Sequence, residues 1–220
     1  MSDLVRLLDA ATEERRILEH PFYKSWAAGE LTTEDLSFYA GQYFRQVEAF
    51  PGYLSALADR LPDSPARDSV LDNLKDEVEG DHVGLWLRFS EAVGASAESV
   101  RSRDAEPETT ACVESFSDGT ETRSVAFGLG MLYGYESQTP GVASTKVEGL
   151  RSHYGVEGPA IDYFTLHGEL DVEHTAELVT AIEEIATDEE ARADAAAGAK
   201  AGAEAIWTLL DGVARVRGIG

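Results

Sequence analysis

The sequence predicts an all-α protein, a bundle of about seven helices. Apolar residues recur at intervals of three and four along most of the chain, which is the period of amphipathic helices. No segment alternates with a period of two, and no Asn-Gly hairpin signal occurs. With 220 residues, 43% of them hydrophobic, the chain can bury a substantial core, and we expect a single domain over residues 1–220.

The first part of the chain shows clear helix starts and interruptions. Ser2 is a suitable cap for a first helix, and Pro21 marks a break followed by a short aromatic turn. Thr32 or Thr33 can cap the next helix, which has acidic residues in its first turn. Because the apolar pattern resumes after Pro51, we expect this proline to kink the helix and not to end it.

A third helix is predicted to begin at Pro65. Its pattern weakens at Gly80 and then continues, so we expect one interrupted helix there. Residues 95–105 are polar, which favours a loop with one short helical turn. The following helix is expected over residues 107–117 and to end before a Gly-containing turn.

The last part of the chain is predicted to form three long helices. The first runs over residues 121–153 with a kink at Pro140. After a Gly- and Pro-containing loop, a second helix covers residues 160–186, and an Ala-rich helix covers residues 188–216. Short connections between long helices are typical of a bundle.

The net charge of −23 arises from 18 basic and 41 acidic residues spread along the whole chain. Such a surface is typical of proteins in a salt-rich cytoplasm, where ions screen the self-repulsion. It would repel nucleic acid, so we expect no nucleic-acid partner.

The cysteine content and the apolar segments of the sequence indicate its cellular compartment. Cys112 is the single cysteine, so no intrachain disulfide can form and a reducing compartment is indicated. No apolar run is long enough to span a bilayer, and the first residues do not form a signal peptide. We therefore expect a cytoplasmic protein without a membrane partner.

Three candidate metal ligands, two His and one Asp, lie in one short helical segment. At about 100° per residue, Asp171 lies about 40° from His167 and His174 about 20° to its other side. Two imidazoles and a carboxylate on one face suit a transition metal such as iron, manganese or zinc. The alternative is an exposed polar stripe, since Glu169 and Glu173 lie in the same segment.

Other helices carry groups that could complete such a site. Glu136 lies in an aromatic, Gly-rich segment that is unusual for a surface acid, although a lone Glu is more often exposed. Glu79 has the Glu-x-x-His spacing to His82, whereas Glu77 could join only if the backbone is distorted near Gly80. These residues would supply three carboxylates and three imidazoles, enough for two metals with open positions for oxygen.

The chain resembles the TenA/PqqC-like group with the heme-oxygenase-type fold. Within this group it is most similar to the chlamydial protein associating with death domains and its bacterial relatives. The similarity extends from about residue 10 to residue 186 and is strongest in segments 18–23, 29–32, 49–55, 72–77, 85–86, 135–138 and 163–167.

The resemblance implies a two-metal centre of two iron ions, or of manganese and iron, with dioxygen as co-substrate and an external reductant. By position its ligands are His82, Glu136, His167, Asp171 and His174. The family's Asp-Glu pair implies Glu77 as the sixth ligand. However, this chain is about two residues shorter between that Glu and His82, so Glu79 stays open as a substitute.

The resemblance also implies a reaction. These proteins make p-aminobenzoate for folate biosynthesis and consume a tyrosine of their own. Tyr23 matches that tyrosine, Lys146 matches a lysine that acts as amino donor or helper, and Tyr39, Tyr135 and Tyr163 match tyrosines near the site. Simple packing is the alternative for Tyr23, and a solvated charge is the alternative for Lys146.

Three rival functions remain open at this point. One is an oxygenase of the same fold that acts on an external fatty acid or amine, which a long apolar pocket would favour. Another is a thiaminase-like hydrolase, whose nucleophile would have to be Cys112, far along the chain from the Glu and His motifs. The third is a non-enzymatic interaction protein. For the enzyme, a small molecule or its own tyrosine is the expected substrate, and a homodimer is expected.

Overall fold

The computed structural model describes residues 2–220, which contain eleven α-helices and no β-strand. The predicted all-α class is confirmed. The helices are α1 (Asp3–Thr12), α2 (Pro21–Ala28), α3 (Thr33–Arg60), α4 (Pro65–Glu79), α5 (His82–Ala92), α6 (Ala97–Ser102), α7 (Pro107–Glu121), α8 (Val125–Glu136), α9 (Thr139–Ser152), α10 (Asp162–Ile185) and α11 (Glu189–Arg217). Short 3-10 turns cover Glu13–Arg15, Ile17–Glu19 and Gly158–Ile161.

The helix starts follow the capping residues in the sequence. The Ser2 hydroxyl accepts a hydrogen bond from the Val5 amide, and Thr32, not Thr33, caps α3 through a reciprocal pair of bonds with Asp35. Helix α3 continues through Pro51 to Arg60, as predicted.

Two segments predicted as single helices are each divided in two. Helix α4 ends at Glu79, and Asp81 has a left-handed backbone with φ of 52°, so α5 starts in a new direction at His82. Helix α8 ends at Glu136, and Pro140 lies in the first turn of α9, where its missing N–H costs nothing. The sequence analysis predicted an interruption near Gly80 and a kink at Pro140, whereas in the structure one helix ends and another begins at each point.

The predicted end of α7 was also early, because the helix runs on to Glu121. Gly119 does not terminate it. Instead, Gly119 lies inside α7 against Met131 of α8, and a Cβ at this position would collide with the Met131 side chain. The glycine therefore permits close packing of two helices and is not a stop signal.

Helix α8 is the centre of the bundle and is buried from Ala126 to Glu136. It packs closely against α11 through glycines on both helices. A Cβ at Gly130 or Gly134 would run into a backbone carbonyl of α11, and a Cβ at Gly198 or Gly202 would run into one of α8. This contact is backbone against backbone, so α8 has almost no freedom to shift.

Within residues 2–220, no helix is both long and apolar enough to cross a lipid bilayer. The apolar faces instead form a core rich in aromatic side chains, with Trp26, Trp86, Tyr23 and Tyr39 among its largest fully buried members. This aromatic region surrounds the predicted site.

The α8–α11 contact yields a stability prediction. The variant Gly134→Val should lower the free energy of unfolding by about 3 kcal/mol or more, because the new side chain must displace the Ala199 carbonyl. Urea unfolding at fixed salt measures this change. The control Gly52→Ala, where no atom lies within 4 Å, should be neutral or stabilise by up to about 1 kcal/mol. Equal effects of the two variants would contradict the proposed packing.

Candidate metal centre

Helices α4, α5, α8 and α10 bring six ionisable side chains into one buried region. Glu77, His82, Glu136, His167, Asp171 and His174 are only 2–8% exposed. Charged residues are seldom buried this deeply unless they are paired or bind metal. The exposed polar stripe considered for the α10 residues is therefore not what the structure shows.

The first group consists of Glu77, His82 and His167. One Glu77 oxygen lies 2.6 Å from His82 Nδ1, and the other lies 3.7 Å from His167 Nε2. One ligand atom from each residue can be chosen so that all three lie within 4.8 Å of one another. His167 Nδ1 lies 2.8 Å from the Tyr163 carbonyl oxygen. A proton on Nδ1 would donate to that oxygen and leave Nε2 free for a metal.

The break between α4 and α5 decides which glutamate joins this group. On a continuous helix Glu79 would be near His82, but the left-handed turn at Asp81 ends that geometry. Glu77 is buried beside His82, whereas Glu79 is exposed and does not join the cluster. The expectation that Glu79 could substitute as the ligand is therefore corrected.

The second group consists of Glu136, Asp171 and His174. An Asp171 oxygen lies 3.6 Å from His174 Nδ1. Glu136 Oε1 accepts a hydrogen bond of 3.1 Å from the Asn73 side-chain amide, which leaves Oε2 without a partner among the described residues. His174 Nε2 lies 3.3 Å from an oxygen of Asp76. Each of these outer contacts fixes the direction in which a ligand side chain points.

Sequence reasoning missed Asn73 as part of the site. Asn73 is buried and precedes Glu77 by four residues, so the two share one face of α4. That spacing was the available signal. Asp76 appeared in the sequence as one acid in an acidic run and as the partner of Glu77 in the family's Asp-Glu pair, and its side chain is 49% exposed.

The two groups face the same small space. Glu77 and His167 from the first group and Glu136 and Asp171 from the second line one cavity of about 10 Å³. Tyr135 is also among its lining residues. A pair of adjacent metal positions is therefore compatible with the arrangement.

The pKa shifts show an imbalance of charge within the site. Burial, reinforced by the nearby Asp171 carboxylate, raises the pKa of Glu136 well above its usual range. For Glu77, burial acts upward, but the adjacent His167 and His82 rings outweigh it and lower the pKa to about 2. For His174, burial acts downward, yet Asp171, Glu136 and Asp76 together raise its pKa to about 9.

These residues fit a transition-metal centre. Both ring nitrogens of His82, Oε2 of Glu136 and Nδ1 of His174 are buried without hydrogen-bond partners among the described residues. Orphaned polar atoms at such density are rare in protein interiors. Cations among them would satisfy the lone pairs and separate the repelling carboxylates, and mixed nitrogen and oxygen ligands suit iron or manganese.

A second cluster surrounds Lys146, which is 4% exposed. Its Nζ lies 4.8–5.8 Å from the centroids of five aromatic rings, those of Tyr23, Tyr39, Tyr43, Trp86 and Phe164. Burial lowers the pKa of Lys146 to about 7. The solvated-charge interpretation of Lys146 was therefore wrong, and a large fraction of its amine is neutral near pH 7.

The tyrosines are linked in pairs around this amine. The hydroxyl of Tyr23 lies 3.3 Å from that of Tyr39, and the Tyr43 hydroxyl donates to that of Tyr135 at 3.0 Å. Tyr163 stacks on His167 with ring centroids 4.1 Å apart. Tyr43, which was not among the candidate site residues of the sequence analysis, thus belongs to the same cluster.

A cavity of about 20 Å³ connects the two clusters. It is bounded by the Lys146 amine on one side and by His167 on the other, with tyrosine rings between them. Its lining also includes Tyr23, Tyr43, Tyr135, Tyr163 and Phe164. The structure therefore brings together every tyrosine singled out in the sequence, although Tyr39 lies beside Lys146 and not on the cavity wall.

Cys112 lies outside this region. It is buried, its Sγ is 3.8 Å from the Gln46 side-chain oxygen, and burial raises the pKa of its thiol. It lines neither of the cavities just described. A protonated, enclosed thiol is a poor nucleophile, which argues against the thiaminase-like alternative.

Comparison of this chain with known proteins identifies its class. A family model of iron-containing redox enzymes matches residues 37–207, and the chain belongs to that family. It is an oxidoreductase with a TenA-like and heme-oxygenase-like fold, as predicted.

Two curated relatives extend the comparison. A 4-aminobenzoate synthase of Chlamydia muridarum is 42% identical over 185 residues, which cover 83% of this chain and 78% of the relative. A 4-aminobenzoate synthase of Nitrosomonas europaea is 37% identical over 218 residues, with 94% and 89% coverage.

Solved structures support the fold alone. A TenA homologue from Pseudomonas syringae has a TM-score of 0.85 at 15% identity and covers 97% of this chain and 93% of its own. A CADD-like protein of unknown function from Nostoc punctiforme has a TM-score of 0.75 at 17% identity, with 97% and 99% coverage.

The Glu77 assignment can be tested with its matched neighbour. Under anaerobic conditions, Glu77→Gln should weaken Fe(II) binding by more than about 100-fold, because changes to outer-sphere partners alone cost about 10–100-fold. Glu79→Gln removes the same charge from the exposed face of the same helix and should bind Fe(II) like the wild type. Calorimetric titration measures both. Equal losses in the two variants would contradict the assignment.

Lys146 predicts a pH-dependent stability. Its folded pKa of about 7 lies below the ordinary value of 10.5, so the unfolded chain binds more protons between these limits. Stability of the wild type should therefore rise with pH across this window, relative to Lys146→Met, which cannot titrate. Urea unfolding at pH 7 and pH 9.5 tests this. A stability difference between the two proteins that is independent of pH would show that Lys146 is not buried as a free amine.

Proposed function

We propose that this chain makes 4-aminobenzoate at a two-metal centre, with its own Tyr23 as the source of the aromatic ring. The size of the cavity beside Lys146 is the observation that carries this proposal. At about 20 Å³ it has room for little more than one water-sized molecule. Sites for organic ligands usually measure about 300–1,000 Å³.

An external aromatic or fatty-acid substrate therefore has no place in this cavity. An aromatic ring is already present in the wall, since Tyr23 lines the cavity and is 1% exposed. The cavity beside Lys146 is not the long apolar pocket that would favour an oxygenase of external substrates. An internal substrate removes the need for such a pocket.

Glu77, His82 and His167 would hold one metal ion, and Glu136, Asp171 and His174 would hold the other. The family is described as iron-containing, which supports iron at one position. A second iron or a manganese ion is proposed for the other position. When bound, the ions supply the dioxygen and one-electron chemistry that amino-acid side chains lack, with electrons from an external reductant.

The side chains around the cavity control the proton and the amine. Burial raises the pKa of Tyr23, so its phenol stays protonated until the ring is oxidised. The Tyr39 hydroxyl, 3.3 Å away, shares a hydrogen bond with this phenol, in which either oxygen can be the donor. Lys146 Nζ lies 5.5 Å from the Tyr23 ring centroid and is partly neutral, so it can serve as a base or as the source of nitrogen.

The aromatic shell has a further role. Trp86, Phe164 and the tyrosines leave no room for bulk water around the Lys146 amine. A dry site protects reactive species from side reactions and favours the neutral form of the amine. The names of the two relatives described above, which match most of this chain, support the same reaction.

The proposal predicts growth of a 4-aminobenzoate auxotroph that expresses this chain. Tyr23→Phe and Lys146→Ala should abolish growth, because the first removes the phenol hydroxyl through which the ring is oxidised and the second removes the amine. Tyr53→Phe is the matched control, since Tyr53 is buried but lies outside the cavity lining. Mass spectrometry of the purified wild-type protein should also show a modification or loss at Tyr23.

Soluble expression of each variant must be verified in the same host. Failure of folded wild-type protein to support growth, with Tyr23 intact by mass spectrometry, would rule out the internal-tyrosine reaction. An oxygenase of an external small substrate would then be the better interpretation.

A further inference from the structure

A product formed in the small cavity beside Lys146 needs a route by which it can leave. We infer that Ala143 and Phe164 form a thin wall that opens into a surface groove between α9 and α10, and that this groove binds the departing product, an aromatic carboxylate. The exit role depends on the proposed function. The binding property of the groove can be measured without it.

The wall is defined by residues that two spaces share. Ala143 and Phe164 line the inner cavity beside Lys146, and they also line the outer groove. Both side chains are 2% exposed and lie at the boundary of the two spaces. At Ala143 the side chain between the inner cavity and the outer groove is a single methyl group.

The opposite side of the wall is also small. Gly168 of α10 faces Ala143, and a Cβ built on Gly168 would lie 3.5 Å from the Ala143 Cβ. The inner cavity and the outer groove would therefore be joined by rotation of the Phe164 ring or by a slight separation of α9 from α10. Phe164 is the one large side chain that would have to move.

The groove has the size and shape for a small organic molecule. Its volume is about 490 Å³, within the usual range of about 300–1,000 Å³ for ligand sites. Ala143, Val147 and Arg151 line it at intervals of four residues, so they form a row along α9 with steps of about 6 Å. An aromatic ring against Val147 would place its carboxylate near Arg151.

Charge favours an anion at that end of the groove. Arg151 is exposed and forms no ion pair with any described residue, in a chain with 41 acidic residues. A guanidinium binds a carboxylate through two parallel hydrogen bonds. Glu148 lines the same groove, and its negative charge opposes binding of an anion. Removal of this charge should therefore have the opposite effect to removal of the Arg151 charge.

The binding experiment uses 4-aminobenzoate titrated into the metal-free, full-length protein and followed by NMR. Arg151→Gln should raise Kd about three- to fivefold, the effect of an exposed ion pair. Glu148→Gln should lower Kd, and Arg101→Gln, which removes the same charge elsewhere, should leave it unchanged. Neutral 4-aminobenzamide should bind the wild type more weakly than the acid.

Two results of this titration would overturn the inference. One is the same Kd for Arg151→Gln and Arg101→Gln. The other is a dimer, detected by sedimentation, in which a second copy covers the groove and prevents 4-aminobenzoate from binding.

The exit role is tested by where the product is found after one turnover. Ala143→Leu thickens the wall, so the protein-bound fraction of the 4-aminobenzoate formed should rise at least threefold, whatever the total amount. Gly168→Ala, a smaller change, serves if Ala143→Leu does not fold. An unchanged bound fraction in a folded variant would exclude this exit. If the wild type forms no product at all, the proposed function fails, and the titration still decides whether the groove binds an aromatic carboxylate.

Discussion

The site depends on uncompensated charge held in the protein interior. Burial and the nearby Asp171 carboxylate raise the pKa of Glu136, while both ring nitrogens of His82 and Nδ1 of His174 have no hydrogen-bond partners among the described residues. Burying such groups without partners is costly, since each loses its hydration. A fold that maintains this arrangement needs strong packing elsewhere, and cations between the two groups would remove most of the penalty.

The packing that maintains it is the glycine-mediated contact of α8 with α11. It fixes α8 by backbone contacts, and α8 ends at Glu136. The break that follows lets α9 begin in a new direction and carries Lys146 to the far side of the small cavity. One rigid helix and one break therefore determine the separation between the candidate metal centre and the amine.

The same aromatic side chains serve packing and chemistry. By excluding water, they lower the pKa of Lys146 and raise that of Tyr23, so an amine and a phenol are both largely neutral side by side. The cavity left between them is too small for an organic substrate. The same small size is the reason to propose both an internal ring as the substrate and a separate route for release of the product. Ala143 and Phe164 lie where the two spaces meet.

The sequence by itself determined the helical class, most helix starts, and the shared face of His167, Asp171 and His174, because capping and the 3.6-residue period are local properties. It could not choose between Glu77 and Glu79, since that choice depends on the left-handed turn at Asp81. The tertiary structure alone decided the burial of Lys146, the contact of Asn73 with Glu136, and the size of the cavity. These features arise where separate helices meet. The distances between helices follow from the packing of the whole bundle, so no single segment of the sequence determines them.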